Sequence, residues 1–412
     1  MKFVILGNGA SGISAAEKLR QLDDTCDITV VSIEDMPAYA KFMLPDYIGG
    51  KIVKNRLILR NMNYYDENRI KLLLNEKVEN IDSHQKIVRL VSGNILEYDK
   101  LLIAVGGSPV IPNIEGLSEI GYFTLNSVRD ADKIMDYAKQ GRNAVIIGAG
   151  LTGIEIAFAL KRLGMNVTLV EKGSRILPQQ LDAASAEMLV EMIRNEGIEL
   201  LLQRDIQKVI KKDDSLIEMA DGEKIDFYML IISIGTRPNL DIVKGLDIKT
   251  NRGILVNSYM ETSVKDIYAA GDVAELQNNN NAGTVSSYIW PNALAQGKCA
   301  ASNMAGQVQE FSSDAGFSNA VRLRDIPFVS VGMINPVEKE YESLVFCDKE
   351  AHIYKKVVLK DNKIKGLILL GDTSAANILS DYAKNGKDIS EIRDIILEKD
   401  FVTKYKTKEG VK

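Results

Sequence analysis

The sequence predicts an α/β protein built from two nucleotide-binding units and a smaller α+β C-terminal region. Three observations carry that prediction. The stretches "FVILGNGASGISAAEKL" (3–19) and "AVIIGAGLTGIEIAFAL" (144–160) each run from a short apolar strand through a glycine turn into a helix. Each is followed by a β-rich run that ends in glutamate, "DITVVSIE" and "NVTLVE". Toward the C-terminus, "IYKKVVLKDNKIKGLILLG" (353–371) reads as two strands joined by an Asp-Asn-Lys turn. One dinucleotide needs one glycine motif, so the second copy means either a duplicated relic or two ligands that must meet.

The first unit starts with a buried strand, Phe3 to Leu6, and an amphipathic helix is expected from about Ile13 to Leu22. Between them Gly7, Gly9 and Gly12 have the G-x-G-x-x-G spacing of a Rossmann-like fold. Gly7 permits the tight turn, Gly9 lets the backbone approach a pyrophosphate, and Gly12 lets helix and strand pack closely. The helix N-terminus favours the negative charge of the phosphates. Glu34 ends the next β-rich run, 22 residues after Gly12, where its carboxylate can accept ribose hydroxyls.

The second unit repeats each part: strand Ala144 to Ile147, turn glycines Gly148, Gly150 and Gly153, helix Ile154 to Leu163, and Glu171 at the end of "NVTLVE". A relic would not need to keep both the glycines and the acidic strand end. Glu171 suits the two free hydroxyls of NADH and repels the extra phosphate of NADPH, although the neighbouring Lys172 softens that repulsion. Between the two units, "LNSVRDADKIMDYAKQ" (125–140) offers Asn126 or Ser127 as a helix cap. The Pro- and Gly-bearing stretches "GGSPVIPNIEG" (106–116) and "GTRPNLD" (235–241) read as crossings between domains.

Composition removes several other functions. A chain of 412 residues accommodates two or three domains, and a net charge of -5 with no long basic run outside the tail "KYKTKEGVK" argues against nucleic acid. No stretch has the ~20 uninterrupted apolar residues of a membrane span, and the Gly-Asn-Gly near the start makes a poor signal-peptide core, so a cytoplasmic location is expected. Cys26, Cys299 and Cys347 form no CxxC pair, which argues against a zinc site or a redox dithiol; buried, inert thiols are expected, and no metal site. With only His84 and His352, a Ser-His-Asp arrangement has little to draw on.

Three further stretches, "YDKLLIAVGGSP" (98–109), "LIISIGTRPN" (230–239) and "TSVKDIYAAGDVAEL" (262–276), together with both glycine motifs, resemble the pyridine nucleotide-disulfide oxidoreductase superfamily of flavoproteins. The resemblance implies FAD in the first unit and NADH in the second. It implies an FAD-binding domain made of residues 1–111 and 245–315, an NADH-binding domain at 112–244 inserted within it, and a C-terminal interface domain at 316–412. Asp272 matches an Asp that hydrogen-bonds the ribityl chain of FAD, Lys41 a basic residue that approaches FAD, and Glu155 a Glu that faces the nicotinamide. Ser11, Val78, Ala104, Gly106, Pro291 and Gly235 fall at further cofactor-binding positions. Pro291 suits the first turn of a helix whose N-terminal amides would stabilise reduced flavin, and Trp290 precedes it.

Disulfide-reducing relatives place a redox cysteine in the stretch matching "AYAKFMLPDYIGG" (38–50), which has none; Phe42 occupies the place of the thiol. The reduced flavin itself must then pass electrons on, since it accepts a hydride as a pair and releases electrons singly. The chain thus resembles NADH:rubredoxin reductases and the FAD module of NADH-dependent nitrite reductases, and "LPQQLDAASAEML" (177–189) fits that subgroup. The implied partner is a one-electron acceptor protein, rubredoxin-like or an iron-sulfur or heme subunit. The alternatives are an electron-input subunit of a larger complex or an NADH oxidase, and the C-terminal domain would meet either that acceptor or a second copy in a homodimer. Two departures stand out: Leu151 replaces an aromatic gate over the flavin, and Asp46 a Lys near it. The run "ELQNNNNAGTVSS" (275–287) is expected to be a solvent-facing polar loop.

Overall fold

A computed structural model of the chain describes residues 1–211, 215–277, 284–285, 289–311, 319–323 and 326–409. Two parallel sheets dominate it. The first has five strands in the order Ile267–Ala269, Lys100–Ile103, Lys2–Leu6, Asp27–Val31, Ile70–Leu73. The second has four, Glu199–Leu202, Asn166–Glu171, Asn143–Ile147, Met229–Ile232. Their Val- and Ile-rich strands are buried on both faces, as parallel sheets require. Each is accompanied by a three-stranded antiparallel sheet, Val78–Asp82 with Ile87–Leu90 and Ile95–Glu97 in the first unit, Ile206–Ile210 with Ser215–Met219 and Lys224–Phe227 in the second.

The two Pro- and Gly-bearing crossings meet. Gly107–Pro109 pairs antiparallel with Thr236–Pro238, so the chain leaves and re-enters through one short ribbon. Asn239 ties that ribbon to the first unit: its Nδ2 donates to the Val105 carbonyl at 3.0 Å and its Oδ1 accepts from the Ser108 hydroxyl at 2.7 Å.

The C-terminal region is an antiparallel sheet in the order Asn319–Leu323, Ile326–Gly332, Lys363–Leu370, Ile353–Lys360, Glu342–Asp348. One face packs under the helices Ala376–Asn385 and Phe401–Glu409. The other contributes Phe328, Tyr354, Ile368 and Leu370 to the core of the second unit. The expected three-residue turn is a two-residue one. Lys360 already pairs with Lys363, and Asp361 and Asn362 take φ of +52° and +54°, the left-handed geometry of a tight hairpin loop that Asp and Asn tolerate.

Several boundaries differ from the sequence reading. The first glycine helix spans Ala10–Leu22 and the second Leu151–Arg162, each starting three residues before the expected Ile13 and Ile154. In the first helix apolar periodicity cannot register the added turn, because Ala10, Ser11 and Gly12 are small residues buried in a tight helix–helix contact; in the second, exposed Thr152 and buried Gly153 after Leu151 interrupt the apolar pattern. Ser127, not Asn126, caps Val128–Ala138, with Asp130 completing a capping box. The expected polar loop begins as a strand, Ala274–Gln277, in which Glu275 is buried and accepts from Asn251 Nδ2 and the Gly253 amide. Positions 278–283 and 286–288 of that loop, and 410–412 of the tail, lie outside the described residues. Cys26 and Cys299 are buried, whereas Cys347 is exposed, because its strand is the edge of the C-terminal sheet. Among the described residues no helix is long and apolar enough to cross a membrane.

Candidate functional site

The glycines of the first motif divide their work as spacing predicts. Gly7 has φ +111°, and a Cβ there would lie 2.2 Å from the Ala104 carbonyl oxygen. A Cβ on Gly12 would lie 1.8 Å from the Gly7 carbonyl oxygen, so the helix rides directly on the turn. Around Gly9 nothing lies within 4 Å of the added carbon, which leaves its backbone open to a ligand. Asn8, between the first two glycines, is buried; its Oδ1 accepts from the Tyr65 hydroxyl at 2.9 Å, and its Nδ2 is buried with no partner among the described residues. The sequence reading missed Asn8, although its place inside the motif was the available signal.

Glu34 lies past the end of its strand, where Tyr39 donates to it at 2.5 Å and Lys41 pairs with it at 3.0 Å. Burial, reinforced by the Glu34 charge, pushes the Tyr39 hydroxyl pKa well above its usual value, so it stays a donor. Asp272 sits in the turn after Ile267–Ala269. Burial raises its carboxyl above the usual range and the nearby Lys41 charge opposes the rise, which places Lys41 in the field of both Glu34 and Asp272. That turn is fixed from behind, because the Gly271 amide donates to the buried Gln296 Oε1 at 2.7 Å and a Cβ on Gly271 would meet Ser11 Oγ at 2.2 Å. Ala104 and Gly106 follow the neighbouring strand, Gly106 with φ +64°, while Val78 lies half-buried in the antiparallel sheet.

Gln296 belongs to the helix Trp290–Met304, with Pro291 in its first turn. This helix packs against Ala10–Leu22 at backbone distance. Ser14 Oγ donates to the Leu294 carbonyl at 3.0 Å, and a Cβ on Gly297 would lie 2.2 Å from the Ser11 carbonyl oxygen. Two helix N-termini, both favourable to negative charge, are therefore held together beside the Asp272 turn. Trp290 meets Phe42, which protrudes from the short helix Lys41–Met43. The next short helix, Leu44–Ile48, contains Asp46, 3.9 Å from Lys51.

The second motif repeats the first in detail. Gly148 has φ +104°, Gly150 is open, and a Cβ on Gly153 would lie 2.1 Å from the Gly148 carbonyl oxygen. The Glu171 carboxylate accepts from the Ala149 amide at 2.9 Å and the Gly173 amide at 2.7 Å, which aims it at the turn. Lys172 is paired with Asp205 at 2.8 Å in solvent, so its charge is directed away from Glu171. Glu155 and Leu151 are half-buried on the helix Leu151–Arg162. Gly235, φ +109°, accepts from the Val110 amide at 2.9 Å beside the connecting ribbon.

The partners of the buried thiols lie outside both motifs. Cys26 Sγ is near Arg20 and donates to the Asp23 carbonyl; Cys299 Sγ donates to the Gln309 carbonyl at 3.2 Å, and burial pushes its pKa up to about 11.

Known proteins match this arrangement along the whole chain. Residues 1–297 match the family described as Pyridine nucleotide-disulphide oxidoreductase, and residues 318–387 match the Rubredoxin NAD+ reductase C-terminal domain. The assimilatory nitrate reductase electron transfer subunit of Bacillus subtilis is 32% identical over 96% of the chain; the chain spans about half of that relative's length, 51%. The NADH-rubredoxin oxidoreductase of Clostridium acetobutylicum is 31% identical, with 96% of this chain and 97% of that one covered. The crystal structure of the NADH:rubredoxin oxidoreductase from the same organism aligns with a TM-score of 0.77 at 30% identity, over 98% of this chain and 99% of the other. With two parallel-sheet units, two complete glycine motifs and these matches, the chain belongs to the pyridine nucleotide-disulphide oxidoreductase family.

Proposed function

We propose that the chain is a flavoprotein reductase that binds FAD in the first unit, takes hydride from NADH in the second, and passes electrons to a one-electron carrier protein. The observation that carries the reading is the pair of complete glycine motifs on one chain, each with an acidic residue at or just past the end of its second strand. The residues of the first unit fit FAD. The unpartnered Nδ2 of Asn8 and the open backbone at Gly9 supply donors and room for a pyrophosphate. Glu34 would accept the ribose hydroxyls and Asp272 the ribityl hydroxyls. Ser11, Val78, Ala104, Gly106 and Pro291 would complete that side, and Glu171 and Gly235 the NADH side. The domain division 1–111 with 245–315, 112–244 and 316–412 follows the same reading; the ribbon Gly107–Pro109 with Thr236–Pro238 supports it.

Bound FAD supplies the chemistry of accepting a hydride as a pair and releasing electrons singly. The protein's task is placement. Glu155 would orient the nicotinamide from the second motif helix, and Lys41 would offset negative charge near Asp272. The helix beginning at Trp290 would stabilise added electrons through its N-terminal amides. Glu171 would favour NADH by accepting two ribose hydroxyls and repelling a 2′-phosphate.

The carrier is proposed to be rubredoxin-like. The match of residues 318–387 to the rubredoxin reductase C-terminal domain supports this. A second reading, an electron-input subunit of a larger complex, is favoured by the chain spanning 51% of the nitrate reductase subunit. Anaerobic mixing of the FAD-loaded protein with NADH, followed by challenge with purified rubredoxin, tests the first reading. Bleaching of the flavin and recolouring by rubredoxin are expected; bleaching without recolouring favours the second reading, and no bleaching removes both.

A further inference from the structure

We propose that the helix Val128–Ala138 is a latch that sets how the NADH-binding unit addresses the flavin, with Arg129 and Asp132 as positioning residues. This inference rests on the FAD and NADH assignment above.

The segment from Glu34 to Leu57 has two sides. Glu34 and Lys41 pair with each other on the Asp272 side, whereas Leu44, Ile48 and Leu57 are buried in the core that holds Val128, Ala131, Ile134 and Ile154 of the second unit. Apolar packing of this kind holds two bodies together without fixing their register, since it is not directional. Directional contacts cluster at the first two turns of the helix. Asp132 accepts from the Tyr47 hydroxyl at 2.7 Å and from Lys54 Nζ at 2.6 Å. Arg129, one turn earlier on the same side, pairs with Asp35 at 2.9 Å and donates to Asn75 Oδ1 at 3.1 Å. At the helix start Val128 is buried in the same core as Tyr39, whose hydroxyl donates to Glu34 at 2.5 Å.

Through Tyr39, the proposed FAD ribose acceptor Glu34 thus reaches the core that holds the first turn of the helix. Exposed ion pairs add little to stability, so the worth of this cluster is geometric. Hydride transfer is sensitive to that geometry: a misplacement of about 1 Å costs on the order of a hundredfold in rate.

The test compares wild type with Arg129→Gln/Asp132→Asn in the full chain. Backbone hydrogen exchange of the FAD-loaded proteins, without NADH, reads the latch directly; faster exchange over 128–138 and 44–57 in the double variant is expected, and unchanged exchange overturns the proposal. Stopped-flow reduction by NADH reads the consequence. The limiting rate is expected to fall at least about tenfold while the NADH dissociation constant stays within about threefold, the split expected for lost positioning without lost binding. Loss of rate and affinity in equal measure, or neither, overturns the positioning role. The charge swap Asp35→Arg/Arg129→Asp should restore most of the rate lost in Arg129→Asp alone, and failure to do so counts against the pair. If wild type is not reduced by NADH, the functional reading fails, and hydrogen exchange alone then decides whether the latch exists.

Discussion

The phenyl ring of Phe42 meets the indole of Trp290 edge to face, with centroids 5.2 Å apart and planes inclined at 67°. Phe42 is 58% exposed, an unusual setting for a large apolar ring, and Trp290 begins the helix that is pinned to the Asp272 turn. An edge contact of this kind contributes about 0.5–1.5 kcal/mol. Phe42→Ala is therefore expected to lower stability by about 1 kcal/mol in urea unfolding. If the flavin releases electrons without a thiol relay, NADH-driven reduction of an artificial dye stays within about threefold of wild type, under 1 kcal/mol in barrier height. A collapse of dye reduction with FAD still bound would give the ring a part in the chemistry that the present mechanism does not need.

Gly9 and Gly12 should separate binding from folding. Alanine at 12 drives its Cβ to 1.8 Å from the Gly7 carbonyl oxygen, a backbone atom that cannot swing away, whereas alanine at 9 meets nothing within 4 Å. Gly12→Ala is expected to destabilise the FAD-stripped protein by at least about 1–3 kcal/mol, the usual cost of overpacking. Gly9→Ala should melt like wild type when stripped and bind FAD at least about tenfold more weakly, about 1.4 kcal/mol. Calorimetry of the stripped proteins and a flavin titration measure the two effects separately.

That contrast also shows how much a sequence discloses. Both glycine motifs, the strand Asn166–Glu171 and the two acidic residues are local features whose periodicity and spacing are written in the chain, and they appear in the structure close to the expected places. The early helix start at Ala10 was hidden because its buried first turn is made of small residues, and the one at Leu151 because exposed Thr152 and buried Gly153 interrupt the apolar pattern. Gln296 and Asp132 were hidden for a different reason. Each acts through a partner far away in sequence, Gly271 and Lys54 respectively, and no local pattern marks such a pairing.

Asp182 joins the C-terminal sheet to the second unit, and its removal should be costly. It caps Ala183–Asn195 through Ser185 and accepts from the Tyr354 hydroxyl at 2.6 Å and from the largely buried Lys356 at 3.0 Å. Burial pushes its carboxyl pKa up, but the hydrogen bonds from Tyr354, Ser185 and Lys356 outweigh this and hold it below the usual value. Asp182 therefore contributes stability above its unfolded pKa, and this is lost as pH falls through the lower folded value. Asp182→Ala strands Lys356 and removes the cap, with an expected loss of about 3–5 kcal/mol at neutral pH. Asp182→Asn keeps a good cap and should lose less. Urea unfolding at neutral pH and below pH ~4 checks both the size and the shrinking gap between wild type and variants.

Asp272 should behave in the opposite way, because its carboxyl is raised rather than lowered. Burial disfavours its charged form, and the Lys41 charge opposes that only in part. Between the unfolded and the raised folded pKa the native state binds more protons than the unfolded one, so stability falls as pH rises through that window. At neutral pH the ionised carboxylate then costs the FAD-stripped protein stability, and Asp272→Asn removes that cost while nearly keeping the shape. The stripped variant is expected to melt higher than stripped wild type at pH ~7 and to show a flatter stability profile on the acidic side. FAD should nonetheless stabilise it less, because a neutral amide accepts hydrogen bonds from ribityl hydroxyls more weakly than a carboxylate does. A stripped variant that melts below wild type at every pH would mean that Asp272 serves the fold before it serves the flavin.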